Sequence, residues 1–183
     1  HTWPLDPLPK AAMEKWKREK RHWLTQRGYP DDADPALVLE RMTDRDRRHF
    51  QRFASSRYHR VLDKGSGACV LRNSDCSEVV AGALEHHGNR TCLLADYVIM
   101  PNHVHVLLQP HEGQTLKKIL SSIRTYSARE INKWLNQSGP FWAHEPFDHM
   151  VRSAHFFRRY QAYIRANPKR AGLREGEYVL RSL

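Results

Sequence analysis

The chain has 183 residues and a formal net charge of +10, from 30 Lys plus Arg against 20 Asp plus Glu, a length that predicts one domain with room for an inserted piece. Apolar residues at 40% support a modest core, and no apolar run approaches the roughly 20 residues of a membrane span. Three cysteines (Cys69, Cys76, Cys92) without a Cys-x-x-Cys pair exclude a disulfide scaffold, residues 1–20 lack the apolar core of a secretory leader, and the expected setting is reducing and cytoplasmic, with nucleic acid the commonest partner of so basic a surface.

His1 to Leu5 reads as a short strand ended by Pro7 and Pro9. Residues 10–27 read as a helix with Ala12, Met13, Trp16, Trp23 and Leu24 as its apolar stripe, and GYPDDADP (28–35) is a turn-rich break. Residues 36–58 read as a second helix. This basic pair has the character of a helical insertion over about residues 10–60, with Lys64 to Gly67 as a joint. CVL (69–71) reads as a strand and residues 77–87 as a helix with Ser77 as N-cap, ending at His86-His87 and Gly88. CLLADYVIM (92–100) and His103 to Gln109 read as two strands joined by Pro101-Asn102 into a hairpin. Residues 115–136 form an amphipathic helix with Leu116, Ile119, Leu120, Ile123, Ile131, Trp134 and Leu135 on one face, stopped at Gly139-Pro140. FDHMVR (147–152) reads as a strand, and residues 154–167 as a helix ending before Pro168, with 168–183 as a short tail. The pattern predicts an α+β fold with an antiparallel sheet.

Two stretches carry chemistry. In YVIMPNHVHVLLQ (97–109), strand alternation puts His103 and His105 on one face and Val104, Val106 and Leu108 on the other. Two converging neutral imidazoles are half a metal site; two surface histidines on an edge strand are the other reading. In YQAYIRANPKRAG (160–172), Tyr163 and Asn167 share a helix face one turn apart. Asn167 could complete a neutral His-His-Asn set, or serve as a C-cap beside a packed aromatic.

Together, YVIMPNHVHVLL and YIRANPKRAGL resemble the HUH single-tyrosine transposases, and most closely the REP-associated tyrosine transposases. The opening HTWPLDPLP, the basic helices and PFWAHEPFDHMVR extend the resemblance over most of the chain. It implies a single HUH endonuclease domain over 1–183 with a ferredoxin-like antiparallel sheet. It implies His103, His105 and Asn167 as ligands of Mg²⁺ or Mn²⁺, and Tyr163 as the nucleophile, in preference to Tyr160 or Tyr126. The activity implied is single-strand cleavage of short hairpin DNA through a 5′-phosphotyrosine, releasing a 3′-hydroxyl, by a nucleoid-associated bacterial protein acting as monomer or homodimer.

Candidate DNA contacts are Lys117, Lys118, Arg124, Arg129 and Lys133 on the long helix, and Arg158, Arg159 and Arg165 near the tyrosine. Phe141, Trp142 and Phe147 read as core rather than base-stacking groups, and His144 and His149 as structural or surface groups. Two alternatives stay open: a non-catalytic binder of structured DNA, and a zinc hydrolase recruiting Glu145 or Asp148 to the histidine pair.

Overall fold

The computed structural model describes residues 2–4, 10–30, 38, 40–62, 67–143, 150–151 and 153–182. They fall into two compact units, residues 8–64 and residues 1–7 with 65–183. None of the described helices is long and apolar enough to cross a membrane.

The smaller unit holds α1 (Lys10–Thr25) and α2 (Asp44–Leu62). Trp23, Leu24, Val38 and Met42 form its core, with Phe50 and Phe53 packed against it. Trp16 and Trp23 both meet Phe50 and Phe53 at 5.2–6.5 Å between ring centroids. The single helix expected over 36–58 is instead broken before Asp44. Thr43 is the cause: its Oγ1 accepts from the Asp46 amide at 3.1 Å and donates to Asp46 Oδ2 at 2.9 Å, a local cap that starts a new helix.

The larger unit is built on an antiparallel sheet of order β1-β3-β2-β4: β1 (Thr2–Pro4), β2 (Cys92–Met100), β3 (His103–Pro110) and β4 (Val179–Arg181). Three helices cover it: α3 (Ser74–His87), α4 (Leu116–Trp134) and α5 (Ala154–Arg170). The α+β fold with an antiparallel sheet is thus as the pattern predicts. Strand alternation sorts the core into two layers. Tyr97, Ile99, Val104 and Val106 pack with Val80 and Leu84 of α3 and Ile119, Ile123 and Ile131 of α4. Val98, Met100 and Leu107 pack on the other face with Ile164 of α5.

Between Leu94 and Tyr97 the β2–β3 register shifts. Ala95 and Asp96 there oppose the single residue Leu107, a bulge that turns two consecutive side chains toward α5. At the other end, Met100 pairs with His103 across the tight Pro101-Asn102 turn.

Four expectations are corrected. CVL is not a strand: β1 and β4 already occupy both edges of the hairpin, so Val70–Arg72 forms a short 3₁₀ turn. Leu71 is buried there and its N–H donates to Pro101 O at 3.0 Å. Helix α3 starts before Ser77 because Asn73 caps it, accepting from the amides of Asp75 and Cys76. Helix α4 ends within two residues of the expected Asn136, which takes the left-handed conformation at φ 51°, but Trp134 is 54% exposed rather than part of the apolar face. Residues 179–181, placed in a tail, form β4 on the free edge of β2. The strand expected over 147–152 lies mostly outside the described residues, and Met150 and Val151 have no strand structure.

Ile99 lies at the centre of the larger layer and is fully buried. Ile99→Ala is expected to lower unfolding free energy by about 2–5 kcal/mol, whereas Leu93→Ala, at an exposed site of the same strand, changes it by less than about 0.5 kcal/mol. Denaturant midpoints of the two variants check this.

Candidate active site

β3 is an inner strand, flanked by β1 and β2. Its period of two sends Val104 and Val106 into the layer under α3 and α4, and His103 and His105 to the side of α5. Both histidines are buried, at 0% and 3% exposure, so they are not surface groups on an edge strand. Their Nε2 atoms stand 3.0 Å apart with the rings at 84°. The hairpin turn orients the first ring: Asn102 Oδ1 lies 2.7 Å from His103 Nδ1. An amide oxygen only accepts, so Nδ1 carries the proton and Nε2 presents its lone pair.

Helix α5 begins at the N-cap Ser153, whose side chain accepts from the Phe156 amide. It does not end before Pro168 as expected, but runs through it to Arg170. Pro168 gives up the bond that an N–H would make to the Ile164 carbonyl, and the buried contact of Asn167 with His105 holds the last turn helical all the same. The end is closed by Ala171 N–H to Asn167 O at 3.0 Å, and by Leu173 N–H to Pro168 O at 3.0 Å around Gly172 at φ +71°. Asn167 is therefore a helical residue and not a C-cap. It is fully buried, with its amide 3.2 Å from His105 Nε2. One turn earlier, the Tyr163 ring meets His105 edge-on, 5.3 Å between centroids.

The four side chains singled out by the motifs, His103, His105, Tyr163 and Asn167, thus converge. The donor chemistry fits a cation. His103 Nε2 is an acceptor, so a proton on His105 Nε2 would be donated to it, and His105 could not then also accept from Asn167 Nδ2. Turning the amide, whose N and O have the same shape, brings Oδ1 to that place. Loss of that one proton from His105 Nε2 would leave two imidazole lone pairs and an amide oxygen facing one point, a neutral set suited to a divalent ion. Among the described residues no three His, Cys, Asp or Glu side chains gather to hold a metal; the polar group that stands beside the two histidines is the Asn167 amide.

Tyr160 packs into the core layer beneath α5, and burial raises its phenol pKa. Tyr126 sits on α4, on the opposite face of the sheet.

Asp96 is a part of the site that the sequence did not reveal; its only signal is a lone acid inside CLLADYVIM. It is fully buried in the bulge. It accepts from Gln161 Nε2 at 3.2 Å, from Arg165 Nη2 at 3.3 Å and from Arg165 Nε. Hydrogen bonding to Asp96 holds the Arg165 guanidinium above its usual pKa. Ile164, Asn167 and Pro168 are the buried centre of α5. At about 100° per residue, Gln161 and Arg165 lie along one edge of that centre and Tyr163 along the other. The carboxylate therefore pins one edge of the helix and sets the angle at which Tyr163 meets His105.

The expected DNA contacts divide. Arg165 is held by Asp96. Arg124 donates to Ala143 O at 2.7 Å, and burial lowers its pKa. Lys117, Lys118 and Lys133 are exposed on α4, and Arg129 lies over the exposed Tyr126 ring and pairs with Glu130. All of these α4 residues are on the helix that covers the sheet face opposite the histidines. Arg158 and Arg159 are exposed on α5 itself. Trp142 is core, its Nε1 donating to buried Ser127 Oγ at 3.0 Å. His144, Glu145, Phe147, Asp148 and His149 lie outside the described residues.

A family model described as "Transposase IS200 like" matches residues 53–167, more than half the chain and all four converging side chains. Comparison with curated proteins and with solved structures returns no match.

Arg165→Ala leaves the buried Asp96 carboxylate without its cation, and is expected to loosen α5 on the sheet. Amide hydrogen exchange of residues 160–167 should accelerate by about tenfold or more, while exchange in α3 stays at the wild-type rate.

Proposed function

The chain belongs to the IS200-like transposase family, and on that premise we propose that it is a metal-dependent single-strand DNA endonuclease and strand-transferase with Tyr163 as nucleophile. Membership implies DNA binding and processing; the finer chemistry rests on the site. What supports it is the contact of Tyr163 with His105 inside a buried, neutral His-His-Asn set.

In this reading His103, His105 and Asn167 hold Mg²⁺ or Mn²⁺. When bound, the ion supplies Lewis-acid polarisation of the scissile phosphate and stabilises charge on the leaving oxygen. Asn102 keeps the proton of His103 on Nδ1 and so leaves Nε2 free to ligate. Tyr163 Oη forms a bond to phosphorus as the bond to the 3′-oxygen breaks. The 3′-oxygen leaves with the electron pair and gains a proton, while the phenol proton passes to solvent. The 5′-phosphate stays on the tyrosine, so attack by another 3′-hydroxyl can rejoin strands. The substrate class is single-stranded DNA carrying short hairpins of the REP type. Lys117, Lys118, Arg129 and Lys133, with Arg158 and Arg159, are available for its backbone.

Three outcomes are expected. Tyr163→Phe abolishes cleavage of hairpin-forming oligonucleotides drawn from the DNA flanking its own gene, while their dissociation constant changes by less than about threefold, since backbone charge dominates affinity. Chelation of divalent ions stops cleavage by the wild-type protein, and Asn102→Ala raises the ion concentration for half-maximal cleavage by about 10–100-fold. A Tyr163→Phe protein that still cuts would point to a hydrolase instead.

A further inference from the structure

The cationic side chains near Tyr163 on α5 differ in what they do. Arg165 is engaged by Asp96. Arg159 lies over the Phe156 ring, 5.8 Å from its centroid, toward the start of the helix. Lys169 falls on the side of the helix away from Tyr163, at about 100° per residue. Arg170 is two turns beyond Tyr163 on the same edge of the helix, and its guanidinium lies over the Tyr163 ring, 5.2 Å from the centroid. It is exposed and makes no ion pair among the described residues. It is also three residues from Asn167, so one helical turn carries both a proposed metal ligand and this cation.

We propose that Arg170 is a further catalytic residue, gripping the non-bridging oxygens of the phosphate that Tyr163 attacks and of the phosphotyrosine that follows. The proposal rests on the reading of Tyr163 as nucleophile. A guanidinium over an aromatic face at an exposed site is weakly held. A charge-assisted, bidentate bond to a phosphate is stronger and fits the planar fork. A phosphodiester reaching Tyr163 therefore draws Arg170 off the ring. The phosphate then has the His-His-Asn set on one side and a fixed positive charge on the other. Arg170 keeps all its protons; the bonds made and broken remain those between phosphorus, Tyr163 Oη and the 3′-oxygen.

The test is single-turnover cleavage, with Mn²⁺, of single-stranded hairpin-forming oligonucleotides drawn from the DNA that flanks the gene. R170A is expected to slow cleavage at saturating DNA by about 100-fold, as when one donor at a developing negative charge is removed. R170K should regain part of the rate. R170M keeps an apolar stem over the ring without the charge and should remain as slow as R170A. Because Arg170 is exposed, all three variants should melt with the wild type. Wild-type protein that cuts while R170A keeps pace, or R170M as fast as R170K, overturns the proposal alone. Wild-type protein that cuts none of the oligonucleotides removes the nucleophile reading, and this inference with it.

Discussion

Side chains along β3 alternate between a layer covered by α3 and α4 and a layer covered by α5, and His103 to Val106 are buried in both. A slip of one residue would push two imidazoles among Val80, Leu84 and Ile123 and turn two valines toward Asn167. Buried polar groups without partners are costly, so the register has no neighbouring alternative. The Pro101-Asn102 turn fixes the starting point of this alternation and also supplies the oxygen that orients His103. One short segment thus closes the hairpin, selects the faces and sets a tautomer.

The second half of the site arrives from the far end of the chain and must be held to the sheet at a defined angle. Apolar packing of Val98, Met100, Leu107 and Ile164, with Tyr160 and Tyr163 against them, holds the helix to the sheet but is not directional. The bulge in β2 adds a directional contact: a buried carboxylate reaching Gln161 and Arg165, which stand one turn apart on α5. Burying that charge is costly unless it is fully hydrogen-bonded, so the carboxylate specifies helix position more than it adds stability. Tyr163 and Asn167 then face the histidines because they occupy the other edge and the centre of the same helix. Arg170, on Tyr163's edge, remains open to a ligand.

What was legible in the sequence follows from periodicity. CLLADYVIM and HVHVLLQ announce themselves as strands because alternation and β-branched content agree, and the pairing of His103 with His105 needs nothing more. The long helix α4 is legible for the same reason at a different period. The Tyr163 and Asn167 pair was visible as a one-turn spacing, although Pro168 suggested an end that the tertiary contact of Asn167 overrides. CVL and the residues of β4 are not told apart by sequence because three-residue segments carry no period, and which of them finds a sheet edge depends on what else occupies it. Arg165 and Arg170 look alike in YIRANPKRAG. Only the position of Asp96, made unusual by a bulge, separates an arginine that holds the helix from one that faces the tyrosine.

The charge of +10 gains a distribution in the larger unit. Most of the cations on α4 lie across the sheet from the histidines, where they suit a polyanion backbone in a salt-dependent way. Those on α5 share a helix with the tyrosine. The central claim is that Tyr163, among seven tyrosines, is the residue joined to DNA. It is tested most directly by trapping the reaction of the wild-type protein with a hairpin oligonucleotide and Mg²⁺, and mapping the adduct by peptide mass spectrometry. A single adduct carrying a 5′-phosphate on the peptide that contains Tyr163, localised to that residue, is the expected result. An adduct on Tyr160 or Tyr126, or cleavage with no covalent adduct at all, would contradict it.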